Sequence, residues 1–387
     1  MQGLTSEIVY LALIVGLMVI PRLLQRWRVP APLTSFGLGM VAVWFVAGVD
    51  SDPTLALLAT LGISSLFLFA GLEIEAADLS AGIWPLVGHL AVRTLVLGAV
   101  IHLAMRYFGF AWQPAALLAL ALLTPSTGFI VETLSALGLD ERERYWVRIK
   151  AIGGEIFALL VLFVVLQSDS WTRLAWSSAA LALLLFGLPS VLLLIGRKVV
   201  PYAHGSEFSL LVMVGVIAAF ATKALGVYYL VGAFIAGFVA RLMKQRLPGM
   251  ASDANLHAMR MFASFFVPFY FFYKGAGVPT GALGLRALAI GFALVAVVLP
   301  CRVGIVWLQR RWIKGESAHS SLRVACALAP TLIFTLVLAT ILHERFGIDD
   351  ALYGALLLYA GATTLLPALV FARPTSFGTA PARGGEG

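Results

Sequence analysis

The chain has 387 residues, of which 61% are hydrophobic and only 12% charged, about half the charged share of roughly 25% in soluble domains. The charges gather in short gaps between apolar stretches of about 20 residues, the helical length that crosses a hydrocarbon core, so an ordinary soluble domain is excluded and a barrel of short alternating strands does not fit. The net charge of +8 raises nucleic acid as a partner, but the basic residues flank apolar runs and form no aromatic-basic patch, so the partner is a lipid bilayer.

In chain order, thirteen helical spans fit the apolar runs. They fall near 6–24, 31–48, 53–72, 82–105, 112–138, 146–167, 172–196, 206–222, 226–243, 258–278, 284–308, 321–343 and 350–372. The first run, Ile8 to Leu24, has neither a basic leader nor a small-residue cleavage site, and reads as a true first helix. Cys301 and Cys326 both lie in apolar runs and read as inert helix residues. The segment 374–387, rich in Gly, Pro and Ala, reads as a disordered tail. Nothing calls for an enzyme's catalytic centre or a cofactor.

Alternate gaps between spans differ in charge. One set holds Arg22, Arg26 and Arg28, then Arg142, Arg144 and Arg148, Arg197 and Lys198, Arg241, Lys244 and Arg246, and Arg310, Arg311 and Lys314. The other holds scattered residues such as Arg106, Arg173, Lys223 and Arg345, with acids at Asp50, Asp52, Asp349 and Asp350. The positive-inside rule therefore places the N-terminus outside and the C-terminus in the cytoplasm, in a cell inner membrane.

Two spans are interrupted. The fifth breaks at Thr124 to Gly128 and the twelfth at Ala329 to Thr331, each around a proline that removes a backbone donor and disfavours helix at the residue before it. The breaks lie seven spans apart, and that odd offset inverts one relative to the other. Paired broken helices in two halves point to a transporter site built from inverted repeats, although proline kinks are also ordinary in membrane helices.

An ionisable group inside a span is a functional candidate by default. Glu155 is the one acid placed deep in a span, the sixth, whereas Glu73 and Glu132 lie nearer the ends of theirs. His89 and Arg93 lie in the fourth span, Lys274 near the outer end of the tenth and Arg302 in the eleventh. A lone carboxylate in low dielectric prefers to be neutral, so it holds either a proton or a desolvated cation, which is the minimal chemistry of an exchanger. A plain Glu155–Arg302 salt bridge tying two helices is the structural alternative. At the breaks, free carbonyls and the hydroxyls of Thr124, Ser126, Thr127 and Thr331 suit a hard cation, or simply satisfy kinked backbone. Arg93 and Lys150 complete the candidate set.

These residues resemble the cation/proton antiporter superfamily, in the branch of bacterial sodium/proton and potassium/proton antiporters. The resemblance runs from about residue 8 to 372. It is carried by Ser65 to Glu75 (SLFLFAGLEIE), by Thr124 to Thr127 (TPST) followed by Glu132 to Leu139 (ETLSALGL), by the stretch from Glu207 through Gly226 to Gly237 (ending GVYYLVGAFIAG), and by Arg302 in the eleventh span. It implies a homodimer of thirteen-helix subunits, with scaffold and dimerisation spans at 6–72 and 206–278 and a mobile core at 82–167 and 284–372 that moves as an elevator. It puts Glu155 at the essential ion-binding carboxylate, usually aspartate, and Arg302 at the basic residue that pairs with this region. Gly154 stands where the family often has Asp, Asn or Gln, so one carboxylate is present where some relatives have two. No nucleotide-binding domain is expected after residue 373.

The resulting expectation is exchange of a monovalent cation, sodium first with lithium or potassium as alternatives, for protons, without net charge movement. Two other readings stay open: a carrier of the same architecture for another solute such as an organic anion, with Arg93 or Arg302 as its partner, and a sensor that transports nothing.

Overall fold

The computed structural model describes residues 2–27, 29–75, 82–134, 137–203, 205–250, 252–313 and 315–371; the expected tail at 374–387 and the side chain of Glu132 lie outside the described set. Every expected span contains helix, in fifteen segments because two are broken: α1 (Gln2–Leu24), α2 (Ala31–Ala42), α3 (Pro53–Leu72), α4 (Ile83–Phe108), α5 (Trp112–Leu123), α6 (Thr127–Leu134), α7 (Glu141–Gln167), α8 (Trp171–Lys198), α9 (Glu207–Ala224), α10 (Tyr229–Leu242), α11 (Asp253–Ala276), α12 (Leu285–Leu308), α13 (Ala318–Ala327), α14 (Leu332–Phe346) and α15 (Asp350–Val370). No strand occurs among the described residues. Nine of these stretches, with α5 and α6 taken together, are long and apolar enough to cross a membrane, and α13–α14, bent by 45°, makes a tenth.

The second span is shorter than expected. Helix stops at Ala42, and residues 43–50 run through turns to Gly48, whose φ of 77° is the left-handed backbone that glycine tolerates. Several other helix starts follow side-chain caps that satisfy orphan N–H groups. Asp52 accepts from Leu55 N at 2.8 Å with Pro53 at the first helical position, Asp349 accepts from Leu352 N at 2.9 Å, and Asp140 and Glu143 form a reciprocal capping box at the start of α7. That box, six residues earlier than the expected start, extends α7 out of the apolar run.

The helices pack in two groups. In one, α3 lies against α10 and α11, and α11 also covers α2. Glycine makes these approaches close: a Cβ at Gly71 or Gly237 would strike the backbone across the α3–α10 seam, and one at Gly39 or Gly275 would strike it across α2–α11, the small-residue packing usual between membrane helices. In the other group, α12 and α14 pack on α15, and α5 sits between α4 and α14. Residues Pro114 to Leu123 of α5 are all buried, so the helix that carries the first break runs through the middle of the molecule. Outer helices instead show apolar side chains such as Leu95, Leu183, Phe186 and Phe292, a surface suited to lipid.

Candidate ion-binding site at the crossing of two broken helices

Helix α5 ends at Leu123 and α6 begins at Thr127, while α13 ends at Ala327 and α14 begins at Leu332. Each break frees carbonyls on one side and N–H groups on the other. The two breaks meet. Ser126 donates its backbone N–H to the Pro330 carbonyl at 2.8 Å, and its hydroxyl accepts from the Ile333 N–H at 2.9 Å, so Ser126 caps the first turn of a helix more than two hundred residues away. The Ala121 carbonyl accepts from the Thr335 hydroxyl at 2.7 Å and the Leu122 carbonyl from the Tyr359 hydroxyl at 2.8 Å. Thr331 pairs with Thr363 at 3.0 Å between the two hydroxyls.

Arg302 serves the other half-helix. Its Nη1 donates to the Ala329 carbonyl at 3.0 Å and to the Tyr359 hydroxyl at 3.1 Å, and its Nη2 lies 3.4 Å from the Leu328 carbonyl. A guanidinium at a helix C-terminus complements the negative end of the dipole. This corrects the expectation that Arg302 is the charge partner of Glu155: its bonds go to the end of α13, and a Glu155–Arg302 salt bridge does not form among the described residues. The two residues lie on α12 and α7, and the carbonyls freed at the second break are the acceptors within the guanidinium's reach.

Glu155 is 3% exposed on α7. Its carboxylate faces the hydroxyl and backbone N–H of Thr127 at the start of α6, and the charge that acts on it is that of Arg93. Three oxygens here, Glu155 Oε2, Thr124 Oγ1 and Thr127 Oγ1, are buried without a hydrogen-bond partner among the described residues. Buried polar atoms are rarely left so, and a carboxylate with neutral oxygens is the donor chemistry of a hard monovalent cation or a proton. Thr127 and Glu155 face each other and Thr124 lies buried in the same break, while Ser126 and Thr331 spend their hydroxyls on holding the crossing.

Arg93, 9% exposed, lies beside Glu155's own helical turn. A Cβ at Gly154 would sit 2.5 Å from Arg93 Nη1 and 3.4 Å from Pro125 Cγ, so the guanidinium fills the room that a side chain at 154 would need. Lys150, one turn toward the start of α7, donates to Gln309 Oε1 at 3.3 Å, and His89 Nδ1 lies 3.0 Å from that same oxygen. Gln309 begins a π-helical segment, Gln309–Ile313. Tyr359, Thr335, Thr363 and Gln309 were not singled out from the sequence. Tyr359 and Thr363 stand four apart on α15, one helical face, and that polar pair inside an apolar span was the available signal; Gln309 reads only as the end of a span before a basic loop.

The chain is 24% identical, over 268 residues covering 66% of its length and 68% of the relative's, to a protein of Methanocaldococcus jannaschii named probable Na(+)/H(+) antiporter 3. Its fold matches a structure of the sodium proton antiporter MjNhaP1 from Methanocaldococcus jannaschii at pH 8, with a TM-score of 0.66, 13% identity, and coverage of 95% of this chain and 96% of that one. The family described as sodium/hydrogen exchanger, transmembrane, matches residues 9–374, nearly the whole length, and the chain belongs to that family.

Proposed function

We propose that the protein is a secondary active transporter that exchanges a monovalent cation for protons, with Glu155 as the group that the two occupy in turn. The observation that carries this reading is the burial of Glu155 against Thr127 at the start of α6, with an unpartnered carboxylate oxygen there and a second unpartnered hydroxyl, that of Thr124, buried in the same break. Sodium is the first candidate, supported by what the family and the named relatives exchange, with lithium and potassium as alternatives. The test is cation-driven proton movement in proteoliposomes, scanning the three cations, with Glu155→Gln beside the native protein. An amide cannot exchange a proton, so Glu155→Gln is expected to fold and to lose exchange; full activity in that variant would sink the mechanism.

The same reading includes thirteen membrane crossings, with α2, α10 and α11 counted with the ten long apolar stretches, an N-terminus outside and a C-terminus in the cytoplasm. It takes α4–α7 and α12–α15 as inverted halves of a mobile core, α1–α3 and α9–α11 as the scaffold of a homodimer, and elevator movement between them. The two packing groups support this division. The organic-anion reading finds little room: the cavity beside the crossing is about 70 Å³, against roughly 300–1,000 Å³ for organic-ligand pockets. The sensor reading needs Glu155 locked to Arg302, whereas Arg302 is committed to carbonyls.

A further inference from the structure

The stretch that begins at Gly226 carries part of the family resemblance but has no task at the crossing. Arg241, at the end of α10, pairs with Glu75. Gly226 therefore stands beyond the other end of that 14-residue helix, about 21 Å away along the axis at about 1.5 Å per residue. At the Arg241 end, the seam between scaffold and core is open. A cavity of about 240 Å³ there is lined by Leu66 and Phe69 of α3, Glu73 just beyond it, Arg260 of α11 and Gly128 of α6. Gly128 follows Thr127, which faces Glu155.

At the Gly226 end the seam is bridged. Gln167, the last residue of α7, is 0% exposed, and its Nε2 donates to the Gly226 carbonyl at 2.9 Å. Its Oε1 accepts from Ser177 Oγ at 2.9 Å and from Arg173 Nε at 3.2 Å, both on α8. The amide thus has one orientation, oxygen toward α8 and N–H toward the scaffold. The core braces this arm: Asp169, two residues on, accepts from Gln113 at the start of α5 and from Arg345 at the end of α14, each at 2.9 Å. Gly226 has a φ of 74°, and a Cβ there would lie 2.6 Å from Arg173 Nη2, so glycine serves both the turn and the close approach. Side chains close the same end of the seam. Tyr270 of α11 is 1% exposed, and its electrostatic neighbours include Tyr229 of α10 and, from the core, Tyr353 and Glu344.

We infer that the Gln167–Gly226 bond is a latch, holding core and scaffold together at the outer end while their seam stays open at the cytoplasmic end. The inference rests on the division into core and scaffold proposed above. A movement that exposes Glu155 at the outer end separates the two residues, because Gln167 is braced to α5 and α14 through Asp169 and Gly226 belongs to the turn between α9 and α10. The bond is single and neutral, so its net worth is modest once water reaches both groups. It therefore biases the balance between two states several-fold and leaves both within reach, as a carrier that alternates between them requires.

Gln167→Glu separates the latch from the bonds beside it. The carboxylate still accepts from Arg173 and Ser177, and Arg173 holds it ionised, but it sets an oxygen against the Gly226 carbonyl where a donor stood. Backbone hydrogen–deuterium exchange on the full chain in detergent, at fixed pH and sodium, reads both ends of the seam. Expected is several-fold faster exchange at residues 226–231 together with several-fold slower exchange at 66–73, which the closing cavity shields. Ser177→Ala loses a neighbouring bond and keeps the latch, so both segments should stay at native rates. Gln167→Met, of similar shape without a hydrogen-bonding group, replaces Gln167→Glu if the charged variant does not fold, with the same pattern expected. Native rates at both ends, faster exchange at both, a change confined to 226–231, or the same reciprocal shift in Ser177→Ala would each overturn the latch. A merely structural bond loosens its surroundings and does not close the far end. Because no ion movement is measured, loss of the latch leaves the antiporter reading standing, and failure of exchange in liposomes leaves the latch standing.

Discussion

Arg93 and Gly154 are complementary: the guanidinium of one occupies the volume that any side chain on the other would need, with a Cβ at 154 only 2.5 Å from Nη1. The pair packs α4 against α7 at the turn that carries Glu155. It also sets the electrostatics of the site, since Arg93 is the cation acting on Glu155.

Gly154→Ala should therefore displace Arg93, with a cost in stability of about 1–3 kcal/mol for overpacking and a fall in exchange rate. Arg93→Ala in the same chain relieves the clash, so the double variant should melt higher than the sum of the single effects predicts, as expected for residues in contact. Strict additivity of the two melting-temperature changes would show that the residues do not share space.

Arg302 is expected to act on the architecture of the break. Arg302→Ala removes the donor from the Ala329 and Leu328 carbonyls and from Tyr359, and a charged hydrogen bond is worth about 1.5–3 kcal/mol. Melting temperature should fall by an amount of that order, with Arg302→Lys recovering part of it because the charge at the end of α13 remains. A native melting temperature in Arg302→Ala would remove this role.

Ser126 is the clearest case of a residue whose function differs from its apparent chemistry. Its hydroxyl looks like a ligand in sequence but caps α14 from across the crossing. Ser126→Ala should cost about 1 kcal/mol, the usual loss of a helix cap, and lower maximal rate with little effect on the cation concentration at half-saturation. Thr127→Val, which removes an unpartnered hydroxyl facing Glu155, should do the reverse. Kinetics of the two variants in the same liposomes separate the roles, and a large rise in half-saturation for Ser126→Ala would return it to the ligand set.

The sequence exposed what is local. Apolar runs mark the helices, prolines 125 and 330 mark the breaks, and a single deep acid marks Glu155. What it hid depends on how distant helices pack. Arg93 and Arg302 carry the same group seven spans apart, and only the rotation of α4 and α12 decides which one approaches the carboxylate and which reaches the carbonyls. Tyr359 and Thr335 read as minor polar interruptions of apolar spans until the carbonyls of Ala121 and Leu122 appear opposite them. The early end of α2 was hidden too, because the apolar run continues through Trp44 and Phe45 although the backbone turns.

The last prediction concerns charge. Gly154 supplies no second carboxylate, and Arg93 stands where one would be. With Glu155 as the titrating group, one monovalent cation replaces one proton, and each cycle moves no net charge. Arg93 and Arg302 do not serve as proton carriers, because a guanidinium keeps its proton in proteins. Lys150 is the remaining candidate, buried at 2% exposure and bonded to Gln309; release of its proton would add a second charge to the cycle. Exchange should be measured in sealed liposomes with the membrane potential clamped by potassium and valinomycin, using sodium or lithium as the driving cation. An electroneutral exchanger keeps the same equilibrium position at every imposed potential. A position that moves with voltage would mean that a second proton travels, and Lys150→Gln should then abolish the voltage dependence if that lysine is its carrier.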